Sequence, residues 1–337
     1  QVIKEEQGGK PWVEWPLELK NREPGALARY STKEAVERQM KFMHRWMQIR
    51  KYARGRTVSL IGDLPIFIAH DSADVWAHRE LFQLDEDGYP SVVAGVPPDY
   101  FSEDGQRWGM ALYNWQEHEA EGWEWWRQRM GRMLRLFDIV RIDHFRGFPS
   151  AWAIPGDASS ARDGVWQDGP GDALVEQLIE VAGSSLCIIA EDLGIIPPEV
   201  AELRKRHGLE GMAVLHFGFD DDNEDNPHRP ENISSDQVVY TGTHDNDTTI
   251  GWWESAPSER RSRVERHRKE GESVPACLIR LALESAAGMA IIPLQDIMEL
   301  GSETRMNMPG TGHGNRRWRF DWNEIPDFTL EPSESES

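Results

Sequence analysis

Cysteine is nearly absent: Cys187 and Cys277 are the only two in 337 residues. That excludes a disulfide framework and a thiolate zinc site, and Cys187, inside an apolar run, reads as a small core residue. Lysine is also scarce, 8 against 29 Arg. With 37 basic and 58 acidic residues the formal charge is −21, which argues against nucleic acid, an anionic membrane or a phosphate-rich substrate as partner. Few Lys with many Asp and Glu fits a salt-adapted surface or a GC-rich coding bias equally well. No run approaches the roughly 18 apolar residues of a membrane span. Gln1-Val2-Ile3-Lys4-Glu5 shows no signal-peptide core, so the expected location is the cytoplasm.

Tryptophan, in contrast, is abundant, with 15 residues. Most of these are expected in the core, and the remainder suit stacking on an uncharged pyranose ring. Hydrophobic residues make up 39 %, enough for a packed core in one large α/β domain or two ordinary ones. Ser31-Thr32-Lys33-Glu34 reads as a capping box opening a helix with apolar positions at Val36, Met40, Met43 and Met47. Further helices are expected over about 116–136, 172–183, 197–207, 258–271 and 276–287. Strands are expected at 57–68, 138–143, 186–191, 211–217, 237–242 and 289–293. Strand alternating with helix means a parallel sheet with helical crossovers. Residues 87–110 and 149–171 show no period and read as long inserted loops, and 331–337 as a disordered tail.

Three of the six strands end in a carboxylate, an arrangement that suggests glycosidic-bond chemistry at the C-terminal end of a barrel sheet. Phe137-Asp138-Ile139-Val140-Arg141-Ile142-Asp143-His144 is the first. Arg141 and Asp143 lie two apart on one strand and face one side. Arg141 would keep its neighbour ionised, as a nucleophile must be; a structural ion pair is the alternative. Ile188-Ile189-Ala190-Glu191-Asp192 is the second. Apolar burial and a nearby like charge would raise the Glu191 pKa and suit it to proton donation, with a helix-capping or solvated Glu-Asp pair as the alternative. Asp143 and Glu191 on adjacent strands would match the 5–5.5 Å separation of a retaining glycosidase pair. The third is His244-Asp245-Asn246-Asp247. Metal binding is its rival reading, but four consecutive ligand types do not share a face. A neutral imidazole and a carboxylate gripping sugar hydroxyls fit better.

The motifs together resemble the 4-α-glucanotransferases (amylomaltases, or disproportionating enzymes), relatives of the α-amylase group. They are Gly62-Asp63-Leu64-Pro65-Ile66, Asp71-Ser72-Ala73-Asp74-Val75-Trp76, Gly95-Val96-Pro97-Pro98-Asp99-Tyr100-Phe101-Ser102, Arg141 to Gly147, Ala190 to Gly194, Thr241 to Thr248 and Pro293-Leu294-Gln295-Asp296. The matches are collinear over about residues 10–322. The resemblance implies a TIM-type (β/α)8 barrel over 1–330, with Asp143 as nucleophile, Glu191 as general acid/base and Asp245 as stabiliser of the distorted sugar. Asp63, Arg141 and His244 would surround the reacting sugar, and Asp192 and Asn315 would also contact substrate. Tyr100, Phe101 and Trp108 would arch over the glucan. The implied partners are maltooligosaccharides and starch- or glycogen-derived glucans, with no cofactor and no metal.

The chain departs from the family pattern at Met110-Ala111 (usually Asn-Pro), His70 (usually acidic) and Arg316 (usually Trp). Family members also carry roughly 150 residues ahead of the position matching Gln1, including two barrel strands. The expectation is therefore an N-terminally truncated barrel holding strands 3–8. Two other outcomes stay open: an α-glucan hydrolase, or an inactive fragment with residual glucan binding.

Overall fold

The computed structural model describes residues 1–30, 32–98, 104–194, 196–309, 311 and 313–326. They divide into two compact units, Gln1–Leu209 and a second that begins at Glu210. Both are α/β. Ten strands occur among the described residues: β1 Ile61–Pro65, β2 Val92–Val96, β3 Gln106–Ala111, β4 Ile139–Asp143, β5 Ser150–Pro155, β6 Val165–Asp168, β7 Ile188–Ala190, β8 Gly211–Val214, β9 Gln237–Tyr240 and β10 Met289–Ile291. The six expected strands are β1, β4 and β7 to β10, each shorter than the apolar run that announced it.

In the first unit β1, β4 and β7 form a parallel sheet with β4 in the middle. Its register pairs Asp63 with Arg141, Pro65 with Asp143 and Ile142 with Ala190. β4 and β7 are largely buried, as strands covered on both faces are, whereas β1 alternates exposed and buried residues. Pro65 ends β1 on the side away from β4, a place where a missing N–H costs no ladder bond. Gly62 is required for packing: a Cβ there would lie 2.1 Å from the Phe137 ring.

The two segments read as loops instead supply an antiparallel sheet in the order β3-β2-β5-β6. Its strands are short, β2 and β3 shift register between Val93 and Gly95, and β6 is mostly exposed. Alternation was therefore too brief and too broken by Gly and Pro to register as a period. The Trp-rich helix is in fact two helices, Trp115–Ala120 and Glu124–Leu136, separated where Gly122 and Trp123 take left-handed backbone.

Aromatic residues dominate the core of this unit. Trp12, Tyr113, Trp126, Phe145 and Phe148 are fully buried, and the Tyr113 hydroxyl donates to the Ile66 carbonyl. The helix Lys33–Arg54 behaves unexpectedly. Val36, Met40 and Met47, read as its apolar face, are exposed, Met40 by 66 %. Its anchors lie elsewhere: Arg50 donates to the Arg135 and Phe137 carbonyls and pairs with Asp138, and the Trp46 ring meets Phe137 edge-on. Ser31 of the expected capping box lies outside the described residues, and Thr32 makes no side-chain cap bond.

The second unit has its own parallel sheet, β8-β9-β10 with β9 central. Val239 and Ala213 pack beneath the helices Thr249–Glu254 and Val274–Glu284, around Trp252, Cys277 and Leu278. Among the described residues no helix is long and apolar enough to cross a membrane. None of their His, Cys, Asp and Glu side chains form a group that could hold a metal ion.

Candidate active site

The chemistry-bearing side chains form two groups, one in each unit. The first sits at the C-terminal ends of β1, β4 and β7. Parallel register puts Asp63, Arg141 and Asp143 on one face, since partners across a parallel ladder and residues two apart share a side. Arg141 grips Asp63 with a fork, Nε to Oδ1 and Nη2 to Oδ2 at 2.8 Å each, and Nη2 also reaches Asp143 Oδ1 at 3.0 Å. Only 9 % of the guanidinium side chain is exposed, against 45 % for Asp63 and 41 % for Asp143. Burial opposes its charge, yet Asp63, with Asp143 and Glu191 beyond, holds Arg141 protonated above its ordinary range.

Glu191 follows β7 directly. Its amide donates to the Ile142 carbonyl at 3.0 Å, so one step past the Ile142–Ala190 pair the ladder brings Asp143 and Glu191 side by side. Both carboxyl oxygens of Glu191 accept backbone amides: Oε2 from His144 at 2.6 Å and Oε1 from Leu193 at 2.9 Å. Burial, then the Asp143 charge, push the Glu191 pKa up to about 7, against the opposing pull of the two amides and Arg141. One carboxylate is thus tied to a guanidinium, while its neighbour keeps a proton near neutrality.

Trp108, on β3, reaches this group. Its ring meets the His144 imidazole edge-on at 4.8 Å, and Phe67 lies 6.2 Å from the same imidazole. Tyr100 and Phe101 lie outside the described residues. Asp192 does not turn toward this group: it is 3.0 Å from the Arg204 guanidinium of the helix Pro198–Arg206, with both side chains almost fully buried. Its position after Glu191 alternates it to the other face of the chain, where it joins sheet to helix.

The second group follows β9. His244 Nε2 stands 3.5 Å from Asp245 Oδ2. Asn307 donates to the other Asp245 oxygen, and Arg305 donates to the Asp245 main-chain carbonyl at 2.7 Å. Ser302 donates to Asp247 at 2.8 Å, so the segment 302–307 fixes both carboxylates. Beneath them Asp296 accepts from the Thr249 amide and from the Thr241 and Thr249 hydroxyls, tying the turn to the helix that follows. Asn315 is half-buried and closes its own loop, accepting from the Met308 amide and donating to the Thr311 carbonyl. His70, one of the departures from the family pattern, hydrogen-bonds the Gly88 carbonyl at 2.8 Å and packs on Trp12.

Sequence reasoning placed His144 in the strand-end motif without giving it a role, and it missed Asn307 and Arg305. Segment 302–309 has no period to mark it, and a histidine inside a run of charged residues carries no sign of its backbone conformation.

Parallel strands of an α/β protein, two of which bring a guanidinium-paired carboxylate beside one whose proton is held near neutrality, define the class of fold and the candidate site. The comparisons agree. The family model described as 4-alpha-glucanotransferase matches residues 1–324, and the chain belongs to that family. It is 47 % identical over 334 residues to the 4-alpha-glucanotransferase of Thermus thermophilus, covering 95 % of this chain and 66 % of that protein. It is 46 % identical over 317 residues to the chloroplastic/amyloplastic 4-alpha-glucanotransferase of Solanum tuberosum, covering 92 % of this chain and 55 % of that one. A solved amylomaltase from Streptococcus agalactiae, in complex with acarbose, superposes with a TM-score of 0.91 at 36 % identity, covering 97 % of this chain and 68 % of that chain. The chain therefore spans between about half and two thirds of the length of these curated relatives.

Proposed function

We propose that this chain carries the catalytic carboxylates of a retaining 4-α-glucanotransferase acting on maltooligosaccharides and starch- or glycogen-derived glucans. The observation that carries the reading is the pair Asp143 and Glu191, side by side on neighbouring parallel strands, with the proton on Glu191 held to about 7. Strand spacing of about 4.8 Å suits the short separation of a retaining pair rather than the wider gap that admits a water in inverting enzymes.

In the first step an Asp143 oxygen attacks the anomeric carbon and the bond to the leaving O4 breaks. Glu191 supplies the proton that this oxygen takes. The glycosyl ester removes the Asp143 charge, which is the second-largest cause of the raised Glu191 pKa. Glu191 thereby becomes the stronger acid and stays ionised, ready to act as base. In the second step it takes the proton from the 4-hydroxyl of an acceptor glucan, whose oxygen attacks the same carbon and releases Asp143. Two inversions give net retention. Arg141 keeps Asp63 and Asp143 in register throughout, and Trp108 offers an apolar wall beside His144. Asp245 takes the role of stabilising the distorted sugar, with His244 and Asn307 at its two oxygens. The six parallel strands are, on this reading, those of a (β/α)8 barrel of the α-amylase group.

Incubation with maltotriose tests the proposal, with Asp143→Ala as the control. Glucose together with maltopentaose and longer products, absent in the control, is the expected result. Glucose and maltose alone would establish a hydrolase instead. A folded, monodisperse chain that forms no product would refute transferase activity for these 337 residues.

A further inference from the structure

β4 ends at Asp143, and His144 then takes left-handed backbone, φ 58° and ψ 49°. That conformation is uncommon for any residue but glycine, although Asn, Asp and His tolerate it better than most. It has a specific consequence here. In extended chain successive N–H groups point to opposite sides, whereas in a left-handed or right-handed turn they point to the same side, as in an anion-binding nest. The His144 amide meets Glu191 Oε2 at 2.6 Å, and the next amide, Phe145, meets the Glu191 main-chain carbonyl at 3.0 Å. Glu191 is therefore gripped at both its side chain and its backbone by two consecutive donors.

We infer that His144 is a positioning residue for the Glu191 carboxyl, its left-handed backbone, braced by the imidazole against Trp108 and Phe67, sending two successive amides onto that residue. The inference rests on the acid/base reading of Glu191 above. The imidazole serves as a packing piece and not as a charge: burial, with Arg146 nearby, holds its pKa down at about 3, so it is neutral at any working pH. The charged groups that face Glu191 are Asp143 and Arg141 on β4, with Asp63 on β1 behind Arg141. Beyond β7 the Leu193 amide closes the opposite side of the carboxyl.

Two effects of substitution have opposite signs. Losing the imidazole admits water, which favours the ionised carboxyl and lowers its pKa. Losing the amide contact removes donors that favour the ionised form, and raises it. His144→Gly and His144→Asn tolerate the left-handed backbone and lose only the ring. His144→Val, β-branched, resists that conformation and loses the amide alignment as well.

The test is a carbon-13 NMR titration of glutamate carboxyls in the free, full chain, with Glu191→Gln identifying the signal. The Gly and Asn variants are expected to titrate at or below the wild-type value, and the Val variant about one pH unit above it. A Val variant that titrates with the Gly variant, at or below wild type, overturns the inference. If His144→Val does not fold, His144→Ala, with a milder backbone penalty, must shift in the upward direction relative to His144→Gly or the inference fails. The titration needs no turnover. An upward shift in a chain that shows no transfer would therefore sink the reaction assigned to Glu191 and leave the positioning intact. A loss of activity in the Val variant with an unchanged titration would mark His144 as merely structural.

Discussion

Glu191→Gln should disable the chain and, at alkaline pH, stabilise it. The Glu191 pKa is raised in the folded protein from 4.5 to about 7. For an acid shifted upward, the folded state binds the proton more tightly than the unfolded one. The stability this brings is complete below 4.5 and is lost as pH rises through about 7. Integrating that shift between about pH 5 and about pH 8, at ~1.4 kcal/mol per unit, the wild type loses about 2.5 kcal/mol that the glutamine variant does not. Glutamine has a fixed cost of its own, because its amide nitrogen must face one of the donors from His144 and Leu193, roughly 1–2 kcal/mol. That cost does not vary with pH and cancels in the comparison. Urea unfolding of both proteins near pH 5 and near pH 8 therefore isolates the ionisation of one buried carboxyl. The expected outcome is a variant less stable or equal in acid and more stable in base, with the difference moving by about 2.5 kcal/mol. A stability difference that is the same at both pH values would refute the claim that Glu191 holds its proton in the folded chain, and with it the acid role.

Two further perturbations probe the scaffolds on which the carboxylates stand. In Arg141→Lys a single ammonium replaces a fork that reaches Asp63 and Asp143 together; transfer should fall about 100-fold or more, while the melting free energy drops by only ~1 kcal/mol because both carboxylates remain half-hydrated. A loss of stability large enough to account for the lost rate would make the fork structural. Asp296→Ala leaves the Thr249 amide and two threonine hydroxyls without their shared acceptor in a buried site, at a cost of about 3 kcal/mol. Asp296→Asn, which keeps an acceptor oxygen, should recover a good part of it. Chemical denaturation of the two variants side by side checks this, and equal losses would show that the acceptor is not what holds the turn.

The apolar runs that end in Arg141-Ile142-Asp143, Ala190-Glu191 and Tyr240-Thr241 were legible without coordinates. A short β-rich segment that stops at charged residues encodes its own direction and its own end. The same local code failed at β2, β3, β5 and β6, where runs of four to six residues, with Gly95 inside β2 and Pro155 ending β5, give no period to read. It also failed for the helix Lys33–Arg54: the 3.6-residue spacing of Val36, Met40, Met43 and Met47 is genuine, but spacing states only which side chains align, not that anything covers them.

The amino-acid order by itself therefore determined the parallel strands and the carboxylates at their ends. The tertiary structure alone decided which of those charges meet. Asp63 and Arg141 are 78 positions apart and become partners only through the β1–β4 register. Asp192, adjacent in sequence to Glu191, is taken by Arg204, while Asn307 arrives at Asp245 from 62 positions away. The proton on Glu191 and the backbone of His144 belong to the same category. Burial, register and the field of neighbouring charges are sums over residues distant along the chain, and no local window of sequence contains them.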